Sequence, residues 1–197
     1  VEFTTKGAQF HSVKINDYMS YDSTALYLVK PQMSQYGINL YAGEYINTKD
    51  FVFDVVEHND SVLVMRMPFS NGGYLQQKYT LAAGSYHISN ELSISGNVIP
   101  RNVSSLDIDW TLTVPRLEKG YKNEKQYSKL DYYFDGDKKP EQIGRGRDAS
   151  ERINAKFKWF AFHQQFFSAI MTAEKKFSSA DFDVRFYNED EYNSNNT

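Results

Sequence analysis

Alternation of apolar and polar residues is the feature that most restricts how this chain can fold. In the clearest run the apolar residues occupy every second position, with aspartates and threonines between them: Leu106, Ile108, Trp110, Leu112 and Val114. Successive side chains of a strand point to opposite faces, so this period predicts a half-buried β-strand. Pro115 ends the run, because proline lacks the backbone N–H that a sheet ladder requires.

The same period recurs along the chain and predicts a mostly β, antiparallel protein. Further strand-like runs lie within residues 1–15, 51–55, 62–67, 86–94, 127–134 and 182–186. The sequence Asn71-Gly72-Gly73 can supply the positive φ angles of a tight hairpin turn between two such runs. Short strands separated by turns favour a sandwich or barrel over βαβ units. One short helix is expected at residues 148–155, where Ser150 can cap it.

Length and composition favour one domain spanning residues 1–197, long enough to bury a sizeable core. The net charge of −3 disfavours a nucleic-acid partner, which would call for a basic face. The absence of cysteine excludes disulfides and thiolate metal sites. No run of about 18 apolar residues occurs, so these residues are not expected to cross a membrane. Residues 188–197 are expected to form a polar tail, and both chain ends suggest a piece of a longer protein.

Three places carry side chains that could do chemistry, and the structural interpretation is favoured at each. His58 has carboxylates beside it, but neighbours on a hairpin loop rarely converge on one metal ion. The glycines and arginines of residues 144–147 lack the strand and helix that flank a phosphate-binding loop. Asp107 and Asp109 alternate with apolar residues, as expected of a solvated strand face. We therefore predict no catalytic residue, no cofactor and no metal site.

Residues 157–170 concentrate six aromatic rings, one histidine and a Gln-Gln pair. Such a segment must be buried in a core or used as a binding surface, and the core is favoured. Rings on both faces predict a strand covered on both sides, followed by a turn of helix at residues 162–167. The buried glutamines are expected to bond to backbone groups and hold that turn. Replacing Trp159 or Phe166 by alanine should then destabilise the fold by about 3–5 kcal/mol.

This segment also carries a resemblance to a known family. Its sequence Trp159-Phe-Ala-Phe-His-Gln-Gln-Phe-Phe-Ser-Ala-Ile resembles the Trp-x-Ala-x-x-Gln-Gln-[Phe/Tyr]-Phe segment in the periplasmic domain of bacterial YidC membrane protein insertases. Residues 1–7 with 13–18 are similar to the first hairpin of that domain, and residues 78–81 with 85–88 to its central strands. The resemblance spans about residues 1–180 and implies an antiparallel β-supersandwich, galactose-mutarotase-like, with a few short helical turns.

The resemblance implies a function without catalysis. Members of the family insert and help fold inner-membrane proteins without ATP hydrolysis, and the periplasmic domain is a scaffold that contacts SecDF and the Sec translocon. The implied location is the periplasmic side of the bacterial inner membrane, with nascent inner-membrane proteins handled by a transmembrane core outside these residues. The family-signature residues are expected to be structural and to lie in the core: Trp159, Phe162, Gln164, Gln165, Phe166 and Phe167.

The chain departs from the family pattern at two points. His163 stands where relatives commonly carry another residue, so it is assigned no role. The family's domain continues beyond the equivalent of Ala180, so its closing strands and helical linker are expected to be missing here. The sheet edge left exposed by such a truncation would favour a homodimer by edge pairing.

Two other interpretations stay open. A carbohydrate-binding or mutarotase-like β-sandwich protein is suggested by the 15 tyrosines and 14 phenylalanines and by fold analogy. That activity would require a cleft where carboxylates converge with one of the four histidines: His11, His58, His87 or His163. The second alternative is a purely structural surface module without a membrane-embedded partner.

Overall fold

The computed structural model of the chain describes residues 1–42, 44–97, 103 and 105–189. The first ten strands are β1 (Glu2–Thr4), β2 (Gln9–Met19), β3 (Ala25–Val29), β4 (Ser34–Tyr41), β5 (Tyr45–Asn47), β6 (Asp54–His58), β7 (Val62–Pro68), β8 (Tyr74–Leu81), β9 (Ile88–Ser95) and β10 (Asp107–Leu112). A 3-10 turn, Thr48–Asp50, follows β5, and the helix α1 is Tyr121–Tyr127. The remaining strands are β11 (Lys129–Tyr133), β12 (Glu141–Ile143), β13 (Ala149–Ile153), β14 (Phe157–His163), β15 (Ser168–Phe177) and β16 (Ala180–Val184).

The described residues form two compact units. The first comprises those of Val1–Val13 and Val29–Thr113, and the second those of Lys14–Leu28 and Val114–Thr197. The first unit contains the sheets β10-β4-β5 and β6-β7-β8-β9, and the second contains β12-β11-β14-β15 and β13-β16. A further sheet has the order β1-β2-β3. The registers within these sheets are antiparallel, which confirms the expected mostly β fold class.

The core of the first unit is formed by side chains from the inward faces of its strands and from the loops beside them. Its buried members are Ala8, Ile38, Leu40, Phe53, Met65, Met67, Leu75 and Tyr79. The hydroxyl of Tyr79 is satisfied inside this core, where two acceptors lie within reach of its one proton: Ala8 O at 2.6 Å and Gln77 Oε1 at 2.8 Å. The hairpin predicted at Asn71-Gly72-Gly73 is confirmed, since it joins β7 to β8 and Gly72 has a φ of 84°.

The alternating run at residues 106–114 forms β10, but its burial is shallower than the alternation predicted. Ile108 is 41% exposed, whereas Leu106, Trp110 and Leu112 are half-buried. The reason is that β10 lies at the edge of its sheet, and β4 is its one partner among the described strands, along Asp107–Leu112. An edge strand receives cover from one side, so period two alone overstated the burial of Ile108.

The prediction of a helix at residues 148–155 is wrong. Residues of that segment form β13, which pairs with β16 along its whole length, and the Ser150 hydroxyl donates to Asp183 Oδ1 at 2.6 Å instead of capping a helix. Strand pairing over five residues outweighs a local capping signal. A helix forms elsewhere: α1 lies in a charged segment without obvious apolar periodicity.

Of the polar tail expected at 188–197, residues 190–197 lie outside the described residues.

Candidate functional site

The family-signature segment forms a hairpin of β14 and β15 in the second unit. A tight turn at residues 164–167 joins the strands, and the backbone N–H of Gln164 donates to Phe167 O at 2.8 Å. At the base of the turn His163 lies opposite Ser168 in the register, with Nδ1 2.7 Å from the serine hydroxyl. The prediction of a helical turn at residues 162–167 is therefore wrong, because β14 continues through His163 and β15 begins at Ser168.

Two phenylalanines of β14 are buried in the core of the second unit. Phe157 is 1% exposed and Phe160 is 9% exposed, although an interval of three residues would place them on opposite faces of a regular strand. The pairing shifts within this interval, since Phe157 faces Phe177 but Trp159 faces Thr172. This irregularity brings both phenylalanine rings to one side. Their aromatic partners are Tyr132, Phe177 and Phe182.

Gln164 connects the turn to two distant segments of the same unit. Its side chain is 5% exposed, and Nε2 donates to Pro115 O at 2.7 Å and to Glu124 Oε1 at 3.4 Å. Glu124 lies on α1 and also accepts from the backbone N–H of Leu117 at 2.9 Å and of Glu118 at 3.4 Å. We call Gln164, Glu124 and Pro115 the turn anchor. Gln164 thus has the backbone partner that its burial was expected to require.

Two ionisable side chains near the turn have shifted pKa values. Burial raises the pKa of Glu124, and its two backbone N–H donors partly oppose that shift. Burial lowers the pKa of His163, and the negative charge of Asp131 acts in the opposite direction. His163 is therefore a neutral imidazole at pH 7.

The Ser168–His163 pair is better explained as a cross-strand contact than as a nucleophile with its base. Such a pair needs a third group to orient the imidazole through its other nitrogen. Among the described residues, no hydrogen bond reaches Nε2 of His163. The contact closes the hairpin below the turn, and it joins residues that the register places directly opposite each other.

Beyond the anchor, the turn presents rings to solvent. Phe166 is 67% exposed, and the half-buried Phe167 makes an edge-on contact with Tyr18, at 6.2 Å between ring centroids and 84° between planes. Tyr18 belongs to β2 and is itself 55% exposed. We call Tyr18, Phe166 and Phe167 the tip cluster. Exposed rings held on a fixed turn are typical of a protein-contact surface.

The six signature residues do not share one environment. Gln164 is buried; Trp159, Phe162, Gln165 and Phe167 are half-buried. Trp159 stacks on Tyr133 with ring centroids 5.6 Å apart and planes 13° apart. The expected burial of Phe166 is wrong, because the bond between Gln164 and Phe167 leaves Gln165 and Phe166 at the outer corner of the turn.

Sequence reasoning missed Glu124 and Tyr18. Glu124 lies among lysines and asparagine, a composition typical of a solvated face, yet it is only 5% exposed. Tyr18 lies in a polar stretch far from the signature segment along the chain. Neither contact leaves a local signal, because each depends on how distant segments meet in the fold.

The other histidines considered from the sequence do not come together in one site. His11, His58 and His87 are exposed and lie on or beside different strands. In the part of the chain that the structure describes, no group of three or more histidine and carboxylate side chains could hold a metal ion. The turn at residues 144–147 is packed, since a Cβ on Gly144 would lie 2.8 Å from Val184 side-chain atoms. No described helix has both the length and the apolar character to cross a bilayer.

Comparison with known proteins identifies similar chains. The family model for the YidC periplasmic domain matches residues 1–197. Three relatives named membrane protein insertase YidC are similar: from Azobacteroides pseudotrichonymphae genomovar. CFP2 (28% identical), Porphyromonas gingivalis ATCC 33277 (25%) and Phocaeicola vulgatus ATCC 8482 (30%). These alignments cover 94%, 91% and 90% of this chain but only 31%, 29% and 29% of the respective relatives. No solved structure matches significantly.

Proposed function

This chain belongs to the YidC periplasmic domain family, and on that premise we propose that it is a non-catalytic scaffold through which a membrane protein insertase contacts its partners. The relatives are named membrane protein insertases, and the chain spans about a third of their length. The insertion of nascent inner-membrane proteins is assigned to a transmembrane core outside these residues. The role proposed for this domain is to provide a contact surface.

The observation that carries the proposal is the tip cluster on its buried anchor. Aromatic rings supply much of the binding energy in protein interfaces, chiefly where they are rigidly held. Phe166 is exposed, while Gln164, two positions earlier, is fixed by the carbonyl of Pro115. These contacts fix the backbone of the turn, so less backbone entropy is lost when the turn binds a partner.

Support for a non-catalytic role comes from the polar side chains. The histidines lie on separate elements, and His163 bonds to Ser168 across the hairpin. The carboxylate with a raised pKa, Glu124, is enclosed by the turn anchor and is 5% exposed. A buried carboxylate that already accepts two backbone N–H groups is better suited to holding α1 than to acting on a substrate.

We propose SecDF, together with Sec translocon components, as the partner of the tip cluster. The family resemblance supports this choice, and the exposed rings supply the surface. The test places a photo-crosslinking phenylalanine analogue at position 166 of the full-length insertase in native membranes. The matched control places it at Tyr86, which is 84% exposed and belongs to the first unit.

We expect the analogue at position 166 to crosslink to SecDF or a Sec translocon subunit, and the one at position 86 to give no such product. Crosslinking to these subunits from position 86 alone would show that the contact lies elsewhere. Products only with unrelated proteins from both positions would refute the choice of partner.

We further propose that the chain forms a homodimer that pairs through β6. This strand ends the β6-β7-β8-β9 sheet, and all five of its residues are exposed. Val55 and Val56 are 50% and 47% exposed, an apolar edge of the kind that recruits another strand. Sedimentation should show a dimer that Val56→Lys converts to a monomer, whereas a dimer unaffected by the lysine would exclude this edge.

A further inference from the structure

The sheet β10-β4-β5 of the first unit has two unlike faces. Alternate residues of β4 pack into the core, with Ile38 1% and Leu40 3% exposed. The opposite face is turned to solvent and combines polar side chains with two rings. Its members are Asp107, Asp109, Asn39, Asn47, Tyr41 and Tyr45.

A hydrogen-bonded network fixes the polar part of this face. Asp109 Oδ2 accepts from Asn39 Nδ2 at 2.7 Å and from Asn47 Nδ2 at 3.1 Å, and Asn47 Nδ2 also donates to Asn39 Oδ1 at 2.8 Å. Asn47 Oδ1 accepts from the backbone N–H of Lys49 at 3.0 Å, which holds the amide from the far side. One side chain from each strand is thereby oriented before any ligand arrives.

Glycine at position 37 makes the network possible. Gly37 pairs with Asp109 in the register, and a Cβ at this position would lie 2.0 Å from Asn47 Oδ1. The amide of Asn47 can therefore cross β4 and reach Asp109 only because position 37 has no side chain. The same closeness accounts for the burial of Gly37 on a face whose other members are half-buried or exposed.

The aromatic part of the face directly adjoins the network. Tyr41 and Tyr45 oppose each other in the register, two positions beyond Asn39 and Asn47, so the two sets lie about 7 Å apart along the strands. The rings are 5.2 Å apart at 66°, and they are 40% and 87% exposed. A ring left this exposed beside a fixed polar group offers an apolar platform next to hydrogen-bonding groups.

From this arrangement we propose that the outer face of β10-β4-β5 binds a carbohydrate, with one pyranose ring of an oligosaccharide resting on Tyr45 and its hydroxyls bonding to Asp109 and Asn39. A pyranose has an apolar C–H face and hydroxyls that both donate and accept. The aromatic ring of Tyr45 can stack against the apolar C–H face of the sugar. Asp109 offers its second oxygen, Oδ1, which accepts no hydrogen bond from the described residues, and Asn39 offers its second amide N–H.

The chemistry of the face favours a neutral polyol over a cation. A cation is bound by hydrogen-bond acceptors alone. Here the amides of Asn39 and Asn47 donate N–H groups to one carboxylate oxygen of Asp109, which is therefore already occupied by donors. Among the described residues, this face also has no group of three histidine, cysteine or carboxylate side chains that could hold a metal ion. The site belongs to the first unit and the tip cluster to the second, so the two proposals can fail independently.

The test titrates the 197-residue chain with maltohexaose, chitohexaose and xylohexaose, and follows backbone amide NMR signals. We expect saturable shifts from at least one hexaose at amides of β4, β5 and β10. Tyr45→Ala should weaken that binding about tenfold, since it removes the stacking ring. Tyr45→Phe keeps the ring and should stay within about threefold of wild type. Tyr86→Ala, the matched control at another exposed tyrosine, should leave binding unchanged.

Because Tyr45 is 87% exposed, its replacement should leave the fold intact, and the dispersion of the amide spectrum checks this directly. The absence of shifts with all three hexaoses would overturn the proposal. So would shifts confined to other strands, or binding that Tyr45→Ala leaves unchanged in a folded protein.

Discussion

Truncating two phenylalanines of the signature segment should destabilise the fold by very different amounts. Phe157 is 1% exposed and packs among Tyr132, Phe177 and Phe182, so Phe157→Ala removes a fully buried ring and leaves a cavity. The expected loss in the free energy of unfolding is about 3–5 kcal/mol. Phe166 is 67% exposed. About a third of its surface is covered, so Phe166→Ala should cost only about 0.5–1 kcal/mol.

The assay is equilibrium unfolding in urea, followed by tryptophan fluorescence. The chain has two tryptophans, Trp110 in the first unit and Trp159 in the second, so a Trp110→Phe background reports on the unit that holds both phenylalanines. Thermal melts provide a second measure, and Phe157→Ala should lower the Tm by about 6–20 °C for a chain of this size.

Equal losses for the two variants would contradict this difference in burial, because they would place both rings in the core. A larger loss for Phe166→Ala would restore the burial that the sequence alone predicted for this residue. Either outcome would also remove the support for the tip cluster as an exposed contact surface.

Three further substitutions test the turn anchor and the first unit. Gln164→Leu leaves the buried carbonyl of Pro115 without its donor and should cost about 1–3 kcal/mol in urea unfolding. Burial raises the pKa of Glu124 above 4.5 in the folded state, so the folded protein binds the carboxyl proton more tightly than the unfolded chain does. The resulting stabilisation is fully present below pH 4.5 and is lost as the pH rises through the folded-state pKa. In paired urea titrations, the stability of wild type relative to Glu124→Gln should therefore fall as the pH rises above 4.5. Gly37→Ala forces the Asn47 amide to move and should cost about 1–3 kcal/mol, reported by Trp110 fluorescence in a Trp159→Phe background.

A flat pH dependence of the Glu124→Gln difference would show that this carboxyl is not desolvated in the folded state. Unchanged stability of Gln164→Leu would mean that water reaches the carbonyl of Pro115. For Gly37→Ala, wild-type stability would show that Asn47 can leave the network at no cost.

Strands could be predicted from the sequence wherever alternation was strong and pairing was local. The hairpin at residues 71–73 is an example, since positive φ and flanking apolar runs are both local properties. Depth of burial could not be predicted in the same way. Ile108 follows the alternation but lies on an edge strand, and edge position depends on which strands meet.

The signature segment shows a second limit of sequence reasoning. The shift in pairing between Phe157 and Trp159 moves the side chains to faces that a period of two cannot predict. The aromatic neighbours of Phe166 predict that it lies in the core, but a tight turn exposes its outer corner whatever the composition. The partner of Gln164 was expected to be backbone, yet only the fold identifies it as Pro115.

We propose that the exposed tip cluster, rather than the buried rings of the same segment, contacts a partner. The most direct test of this proposal is the affinity of the domain for solubilised SecDF, compared among wild type, Phe166→Ser and the exposed control Tyr86→Ser. We expect Phe166→Ser to weaken binding at least about tenfold at nearly unchanged stability, and Tyr86→Ser to bind as wild type. Equal affinity of all three proteins, or a loss only with Tyr86→Ser, would contradict it.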